Sequence, residues 1–548
     1  MRKLVVFLLA ALMAIPVSAM AADAPNAQQL QKEIQGLSKQ LKEMDTRVSK
    51  NEMKTALDRL DITGDFRTKA DSLHAKVLYP TYGTLMGIPG MTTGMASGNY
   101  NNNVMWTTRM RLDMKAKVYD NVKFMGRLTM YKQWASSTDA KVFDSWGSYT
   151  MDGSNGGNTT GDWLRVERAF FSWYHIGGSN WYLSIGRRPS THGPPTQFRE
   201  NEPRGGTPPG QLVDFNFDGI SIGYNLGALT GIDGQELHIC YGQGFESQFG
   251  TGSYWNPEHS LKDTQLAGVT ADLMNDGQNY LQATAFAAVN VTNGFSGQLA
   301  VPNTMLNSIG ANDIYQGTMI NNAGGDGSAY ITAGQTFQTL ANNLGGNGMT
   351  LYSRLDPTKN IGNIVIGGID FVRQEWSGID WFVSGGWSRA DSNGQAGYFG
   401  GLLNGVTLDA QGNPVATDSK ARNGYSIYAG VRVPAPYGKV GFEYNWGSRY
   451  WTPFVQAEDD LIGPKLGTRG QVFDLYYIFD INPHMFIKLD GMYYDYAYTN
   501  SNSPVGPALK ISDVKNMNAQ QLMANGVMMA MPVIDTAWDA NAALTVKF

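Results

Sequence analysis

The run Arg109-Met110-Arg111-Leu112-Asp113-Met114-Lys115-Ala116-Lys117-Val118 alternates polar and apolar side chains without a break. In an extended chain successive side chains point to opposite sides, so the run has one charged face and one apolar face. After Tyr119-Asp120-Asn121 the alternation restarts, with Val122, Phe124, Leu128 and Met130 on one face and Lys123, Arg127 and Thr129 on the other. These strands are longer than the usual five or six residues. About ten residues is the length that crosses a bilayer at a barrel tilt.

The pattern continues to the last residue. Strands are predicted near 60–71, 106–118, 122–134, 162–175, 180–188, 213–224, 235–243, 263–274, 278–292, 361–374, 378–390, 422–434, 438–449, 468–479, 485–497 and 538–548, sixteen in all, with ambiguous faces in 162–175 and 468–479. Short links (119–121, 176–179, 225–234, 275–277, 375–377, 435–437, 480–484) alternate strictly with long ones (72–105, 135–161, 189–212, 244–262, 293–360, 391–421, 450–467, 498–537). Membrane barrels have short turns at one end and long loops at the other. The reading is an all-β, closed, antiparallel transmembrane β-barrel over residues 60–548. A secreted propeller or solenoid is the competing fold, and it has no reason to alternate its link lengths.

Composition agrees. The 548 residues include 65 glycines, 11% aromatics and only 16% charged residues, against about 25% charged in soluble domains. Mean hydropathy is −0.28, and beyond the N-terminus no window has the roughly 18 apolar residues of a membrane helix. The tryptophans Trp106, Trp134, Trp163, Trp181, Trp376, Trp381, Trp446 and Trp538 fall near predicted strand ends, where indoles favour the headgroup level.

Ahead of the barrel, Arg2 and Lys3 precede the apolar run Leu4 to Ile15, and Ala19-Met20-Ala21 offers a cleavage site. Residues 1–21 read as a signal peptide. Residues 22–59 read as a periplasmic coiled-coil helix, with Leu30, Ile34, Leu37, Leu41, Met44 and Val48 in a heptad seam that breaks at Asn51. A stripe this narrow favours self-association over a solitary helix lying on its own barrel. The helix would reach about 50 Å, far enough to contact the cell wall.

The last strand places Leu544, Val546 and Phe548 on one face and stops at the phenylalanine. That ending resembles the assembly signal of bacterial outer-membrane barrels, and the chain from Leu60 onward resembles the bacterial porins in architecture. The leading coiled coil is similar to that of porins with a periplasmic N-terminal helix. The segments Gly186-Arg187-Arg188-Pro189-Ser190-Thr191-His192-Gly193-Pro194-Pro195 and Asp214-Phe215-Asn216-Phe217-Asp218-Gly219 resemble OmpJ-like porins of anaerobic metal-reducing bacteria. The resemblance implies the outer membrane of a Gram-negative bacterium, contact with lipid and lipopolysaccharide, insertion by the barrel-assembly machinery, and a homotrimer. It implies passive diffusion of small hydrophilic solutes or ions, without cofactor or catalysis. In porins the third external loop enters the barrel and constricts it; here that loop is 189–212.

On the first three strands Asp61, Asp65, Arg67, Lys69, Arg109, Arg111, Asp113, Lys115, Lys117, Lys123 and Arg127 share the lumen face, eight basic residues against three acidic, with no balancing row elsewhere. Such a row sets up a positive field in a pore and favours anions. The third loop adds Arg187, Arg188, Arg199 and Arg204, with Glu200 and Glu202. If those two glutamates face the basic wall, the field becomes transverse and the anion bias falls. The bland reading is that all these charges solvate the lumen and pair with one another.

Other chemistry is sparse. Cys240 is the single cysteine, which excludes disulfides, thiolate zinc sites and C-x-x-C-H haem attachment. The six histidines form no H-E-x-x-H. His238 and Cys240 share a strand face as a pair of soft ligands lacking a third, so no metal site is predicted. Glu458-Asp459-Asp460 reads as a solvated acidic turn. The net charge of −5 gives no reason to expect nucleic acid. Three further readings are a barrel sheath around an electron-transfer cytochrome, a tether between membrane and cell wall, and an outer-membrane esterase.

Overall fold

A computed structural model of the chain describes residues 35–40, 42, 44, 60–79, 98–134, 161–245 except 217, 261–302 except 294, 319–323, 328–330, 349–355, 359–455 except 398–399 and 411–413, 460–517 and 533–548. The predicted signal peptide and most of the predicted coiled coil lie outside these residues. Residues 35–40, 42 and 44 are helical, with Leu37 and Met44 of the seam exposed.

The barrel is closed and antiparallel, with sixteen strands in sequence order. They are β1 (Leu60–Tyr79), β2 (Gly98–Tyr119), β3 (Val122–Gln133), β4 (Gly161–Trp173), β5 (Trp181–Arg187), β6 (Asp218–Asn225), β7 (Glu236–Phe245) and β8 (Thr264–Asn275). The second half comprises β9 (Asn279–Thr292), β10 (Asn360–Trp376), β11 (Ile379–Ser392), β12 (Arg422–Ala435), β13 (Gly438–Gly447), β14 (Gly470–Asn482), β15 (Met485–Tyr496) and β16 (Val533–Lys547). Every predicted strand is present, and the strict alternation of short turns with long loops holds. β1 and β2 run well past their predicted outer ends, which shortens the link between them. The predicted strand 213–224 begins only at Asp218, because Val213–Asp214 leaves the wall and pairs in parallel with Phe454–Val455.

Closure is made by β16 against β1, with Phe66 opposite Val546, and the backbones of Gly64 and Phe548 exchange hydrogen bonds of 2.8 and 2.9 Å. A closed barrel has no unpaired strand edge, which is what hydrocarbon demands. Its outer face is apolar, with Ile222, Ile239, Val269, Ile369, Ile427, Phe473, Leu475 and Leu544 all exposed. Trp106 and Trp134 stack at the long-loop end with ring centroids 5.2 Å apart, while exposed Trp173, Trp181 and Trp376 ring the short-turn end. The burial of Trp163 lies outside the described residues.

The two ambiguous segments have distinct causes. In β4 the register slips between Arg127–Arg168 and Leu128–Val166, a bulge that turns both Glu167 and Arg168 inward. In β14 the inward residues Val472, Tyr476 and Ile478 are as apolar as the outward Phe473, Leu475 and Tyr477. Only Asp474 marks the inner face.

Candidate functional site: a charge-stitched loop inside the barrel

The third long loop lies within the lumen. It begins after β5, makes the short helix α1 (Gln197–Glu200), and leaves α1 through Asn201 in the left-handed region at φ 52°. Backbone bonds from Gly205 to the His192 carbonyl and from Gly210 to the Pro194 carbonyl, each 2.9 Å, fold the loop on itself. Its proline and glycine content supplies those turns.

All nine predicted pore-lining residues, Arg67, Lys69, Arg109, Arg111, Asp113, Lys115, Lys117, Lys123 and Arg127, share the inward register of β1 to β3. They divide into two groups. Arg67, Lys69, Arg109 and Arg111 are buried, and each is ion-paired. Arg109 Nη2 donates to Asp65 Oδ1 and Glu202 Oε1, both at 3.0 Å. Arg111 donates to Asp65 Oδ2 at 2.6 Å and also to Glu202. Arg127 Nε donates to Asp113 at 2.8 Å, and its Nη1 to Glu167 at 3.2 Å. Lys115, Lys117 and Lys123, nearer the short-turn end, are exposed.

The expectation of an unbalanced basic row is corrected by the far wall. Glu443 on β13, Asp474 on β14, Asp490 on β15 and Asp539 on β16 all point inward and are buried. No single strand marks them with a row of like charge: Asp490 shares its inner face with Lys488, 3.3 Å away, and Asp539 shares its face with Asp535, which pairs with Lys76 and Lys515. The discoverable signal was repetition from strand to strand.

The loop carries both signs and matches both walls. Arg199 on α1 donates to Asp460 at 2.9 Å and approaches Asp474 at 3.0 Å and Asp490 at 3.3 Å. Glu200, beside it, lies 3.5 Å from Lys488 and 3.9 Å from Arg67. Glu202 takes Arg109 and Arg111, while Arg204 lies 4.3 Å over the Tyr280 ring and 3.7 Å from Asp272. Burial works against ionisation of both glutamates. The neighbouring cations overcome it, Lys488 and Arg199 for Glu200 and Arg111 and Arg109 for Glu202, and hold both well below the usual carboxylate range.

A second long loop, described over residues 448–455 and 460–469, joins from the other side. Lys465 Nζ donates to Glu443 and, at 2.5 Å, to Asp474. Trp451, fully buried, donates its indole N–H to the Leu466 carbonyl at 2.8 Å. Beside them Leu212, Val213 and Phe215 of the third loop pack into an apolar cluster with Leu266, Phe286, Ile364 and Ile366 of the wall. Gly368 and Gly386 permit this, since a Cβ on Gly386 would lie 2.5 Å from the Trp451 ring. A cavity of about 50 Å³ remains between α1 and residues 460–466, room for a water or two.

Two loop residues depart from the predicted set. Arg187 shares the outward face of Ile185 and pairs with Asp218 at 3.5 Å and the Val166 carbonyl at 3.0 Å. Arg188 does point inward, to Ser184 at 3.0 Å, and stays against its own wall. The His238–Cys240 pair does share the inner face, but Cys240 turns to Ser221 at 3.5 Å, away from any ligand set with His238.

Comparison with solved structures returns porin-like barrels at low similarity. Outer-membrane OmpT of Vibrio cholerae matches with TM-score 0.36 and 10% identity, over 89% of this chain and 97% of that one. Pseudomonas putida OprB gives 0.39 and 9% over 90% and 96%, and Salmonella typhi OmpF gives 0.37 and 9% over 89% and 97%. No curated protein sequence matches. The OmpJ-like resemblance of residues 186–195 and 214–219 stays a resemblance. Residues 99–548, from early β2 to the C-terminus, match the profile described as "Protein of unknown function (DUF3373)", and the chain belongs to that family.

Proposed function

We propose that this barrel is a porin-type channel of the Gram-negative outer membrane, passing small hydrophilic solutes or ions by passive diffusion through a lumen narrowed by residues 189–212. One observation carries the reading: a loop inside the barrel makes ion pairs with opposite walls, Glu202 with β2 and Arg199 with β14 and β15. A loop fixed at both sides narrows the passage and holds it at a set width. The same placement argues against a cytochrome sheath, because the chain's own loop takes the space that an enclosed partner would need.

The short-turn end faces the periplasm in this reading, and lipid with lipopolysaccharide surrounds the apolar belt. Selectivity at the constriction is weak, since its charges are paired. The anion preference rests instead on the exposed Lys115, Lys117 and Lys123 of the periplasmic vestibule. Leu544, Val546 and Phe548, which face outward on the closing strand, serve the barrel-assembly machinery.

Deleting residues 195–205 should raise single-channel conductance in planar bilayers severalfold while the folded barrel keeps its heat-modifiable mobility. Unchanged conductance with an intact barrel would remove the constriction from the proposal. The coiled coil predicted over residues 22–59 supports a homotrimer, because its seam residues Leu37 and Met44 are exposed on a lone chain, and a helix of that predicted length can contact the cell wall. Leu37→Asp with Leu41→Asp should shift the trimer toward monomer on native gels in mild detergent. A persistent trimer would assign the helix another role.

A further inference from the structure

Two strands beyond the loop's anchor on β5, three ligand-bearing side chains converge on the lumen wall at its short-turn end. Glu236 and His238 sit two residues apart on β7, and Asp272 on β8 is directly opposite Glu236. Residues at i and i+2 of a strand share a face, and directly paired residues bring their Cβ atoms to about 5 Å. The ligand atoms of the three residues all lie within 4.8 Å of one another.

The histidine is oriented for this task. Tyr182 on β5 reaches across β6 to hydrogen-bond His238 Nδ1, and the two rings meet edge-on at 5.7 Å. The intervening residue is Gly223, paired with both, where a Cβ would fall 2.1 Å from the tyrosine ring. A larger residue there would block the contact. In the tautomer that donates Nδ1–H to the tyrosine oxygen, the Nε2 lone pair faces the carboxylates. His238 is buried, and its Nε2 has no hydrogen-bond partner; Glu236 Oε2 stands 3.5 Å away. Asp272 is equally fixed, for its Oδ1 accepts from Tyr280 at 2.8 Å and Gln282 at 2.7 Å. Its Oδ2 is 3.7 Å from Arg204, beyond hydrogen-bond reach. A buried imidazole nitrogen without a partner, aimed at two carboxylates, is costly unless something is shared among them.

We propose that Glu236, His238 and Asp272 form a binding site for a divalent transition-metal ion of the Zn²⁺ class on the vestibule wall. One imidazole and two carboxylates are donors that suit such an ion, and three protein ligands leave a position open to the lumen. Tyr182, Tyr280 and Gln282 hold the ligands in place, the outer-shell role that tunes affinity. Glu236 is half-buried, which leaves the site reachable from the vestibule. The ion also competes with Arg204 for Asp272, so occupancy touches the constriction loop. The sequence reading paired His238 with Cys240, two residues toward the long-loop end; the site lies two residues the other way.

The test is calorimetric titration of ZnCl₂ into the full-length folded barrel in detergent, with anomalous diffraction at the zinc edge to place the ion. One site per chain is expected, with density between the three side chains. His238→Ala should weaken binding at least tenfold, while Cys240→Ser leaves it unchanged. Heat-modifiable mobility reports folding, and if His238→Ala does not fold, Glu236→Gln at the accessible rim decides, again with a tenfold loss expected. Absence of stoichiometric binding, or equal binding by the folded variants, would show only ion-paired lumen residues. The readout is binding, so it stands or falls separately from conduction.

Discussion

Residues 197–204 and residues 211–215 belong to one loop, yet opposite forces hold them. The first part is pinned by charge: Arg199, Glu200, Glu202 and Arg204 each meet an opposite charge on the wall. The second part is pinned by packing: Leu212, Val213 and Phe215 are buried against aliphatic and aromatic wall residues. A water-filled barrel explains the first half and not the second, because an apolar cluster has no place in an aqueous lumen. Part of this lumen is therefore organised as a protein core. The charged half sets the position across the passage, and the apolar half resists displacement by water.

The largest effect is expected on the apolar side. Leu212→Asp places an unpaired carboxylate in that cluster, at a cost of about 3–5 kcal/mol. Less is lost by releasing the loop than by burying the charge. Conductance should rise severalfold and residues 195–210 should become open to protease, while the barrel stays heat-modifiable. A closed, protected loop in this variant would show that the charged half alone suffices.

The charged half should yield less. Glu202→Gln keeps a side chain of similar shape but removes the charge facing Arg109 and Arg111, a loss of about 1.5–3 kcal/mol. The two guanidinium groups then lose one of the carboxylates they face, so reversal potential should move toward anion preference. The pH dependence has a definite sign. Both Glu200 and Glu202 are held below their ordinary value of 4.5. Their contribution to docking is therefore complete above pH 4.5 and is lost only as pH falls through the lower, folded values. Conductance should be flat from pH 7 down to 4.5 and rise in stronger acid. A rise already at pH 6 would assign the docking to some other titrating group.

The contrast also separates what was legible in the sequence. Strands were legible, because lipid on one side and polar lumen on the other print period two into residues 109–118. The basic wall was legible for the same reason. β14 hid its inner face because Val472 packs with Leu461 and Ile462 of the inserted loop, and Tyr476 and Ile478 cluster with Phe486 of β15, which erases the alternation. Loop 189–212 announced a fixed fold through its prolines and glycines, but its partners Asp474 and Asp490 lie about 280 residues away in sequence. No local pattern encodes such a pairing. His238 drew notice, and its neighbour Asp272 did not, since only register places it opposite Glu236.

The smallest effect separates paired charge from exposed charge on a single wall. Arg109 and Arg111 are 3% exposed and tied to Asp65 and Glu202, so neutralising them disturbs docking together with selectivity. Lys115 and Lys123 are exposed, and Lys117 is 61% exposed with only Asp120 as a surface partner at 2.8 Å. Surface pairs of that kind contribute about 0–1 kcal/mol, so losing all three lysines leaves stability nearly unchanged. Their field reaches across the vestibule only within the screening length, about 10 Å in 0.1 M salt and about 3 Å in 1 M. Changing the three lysines to glutamine should therefore move the reversal potential modestly toward cations in dilute salt. The shift should vanish in about 1 M salt, where the screening length drops to a single side chain's reach. Conductance of the open channel should not change, because no contact to the loop is broken. A shift that persists in concentrated salt would place these lysines at the narrowest point, and the division of the wall into a paired constriction and a screened vestibule would fail.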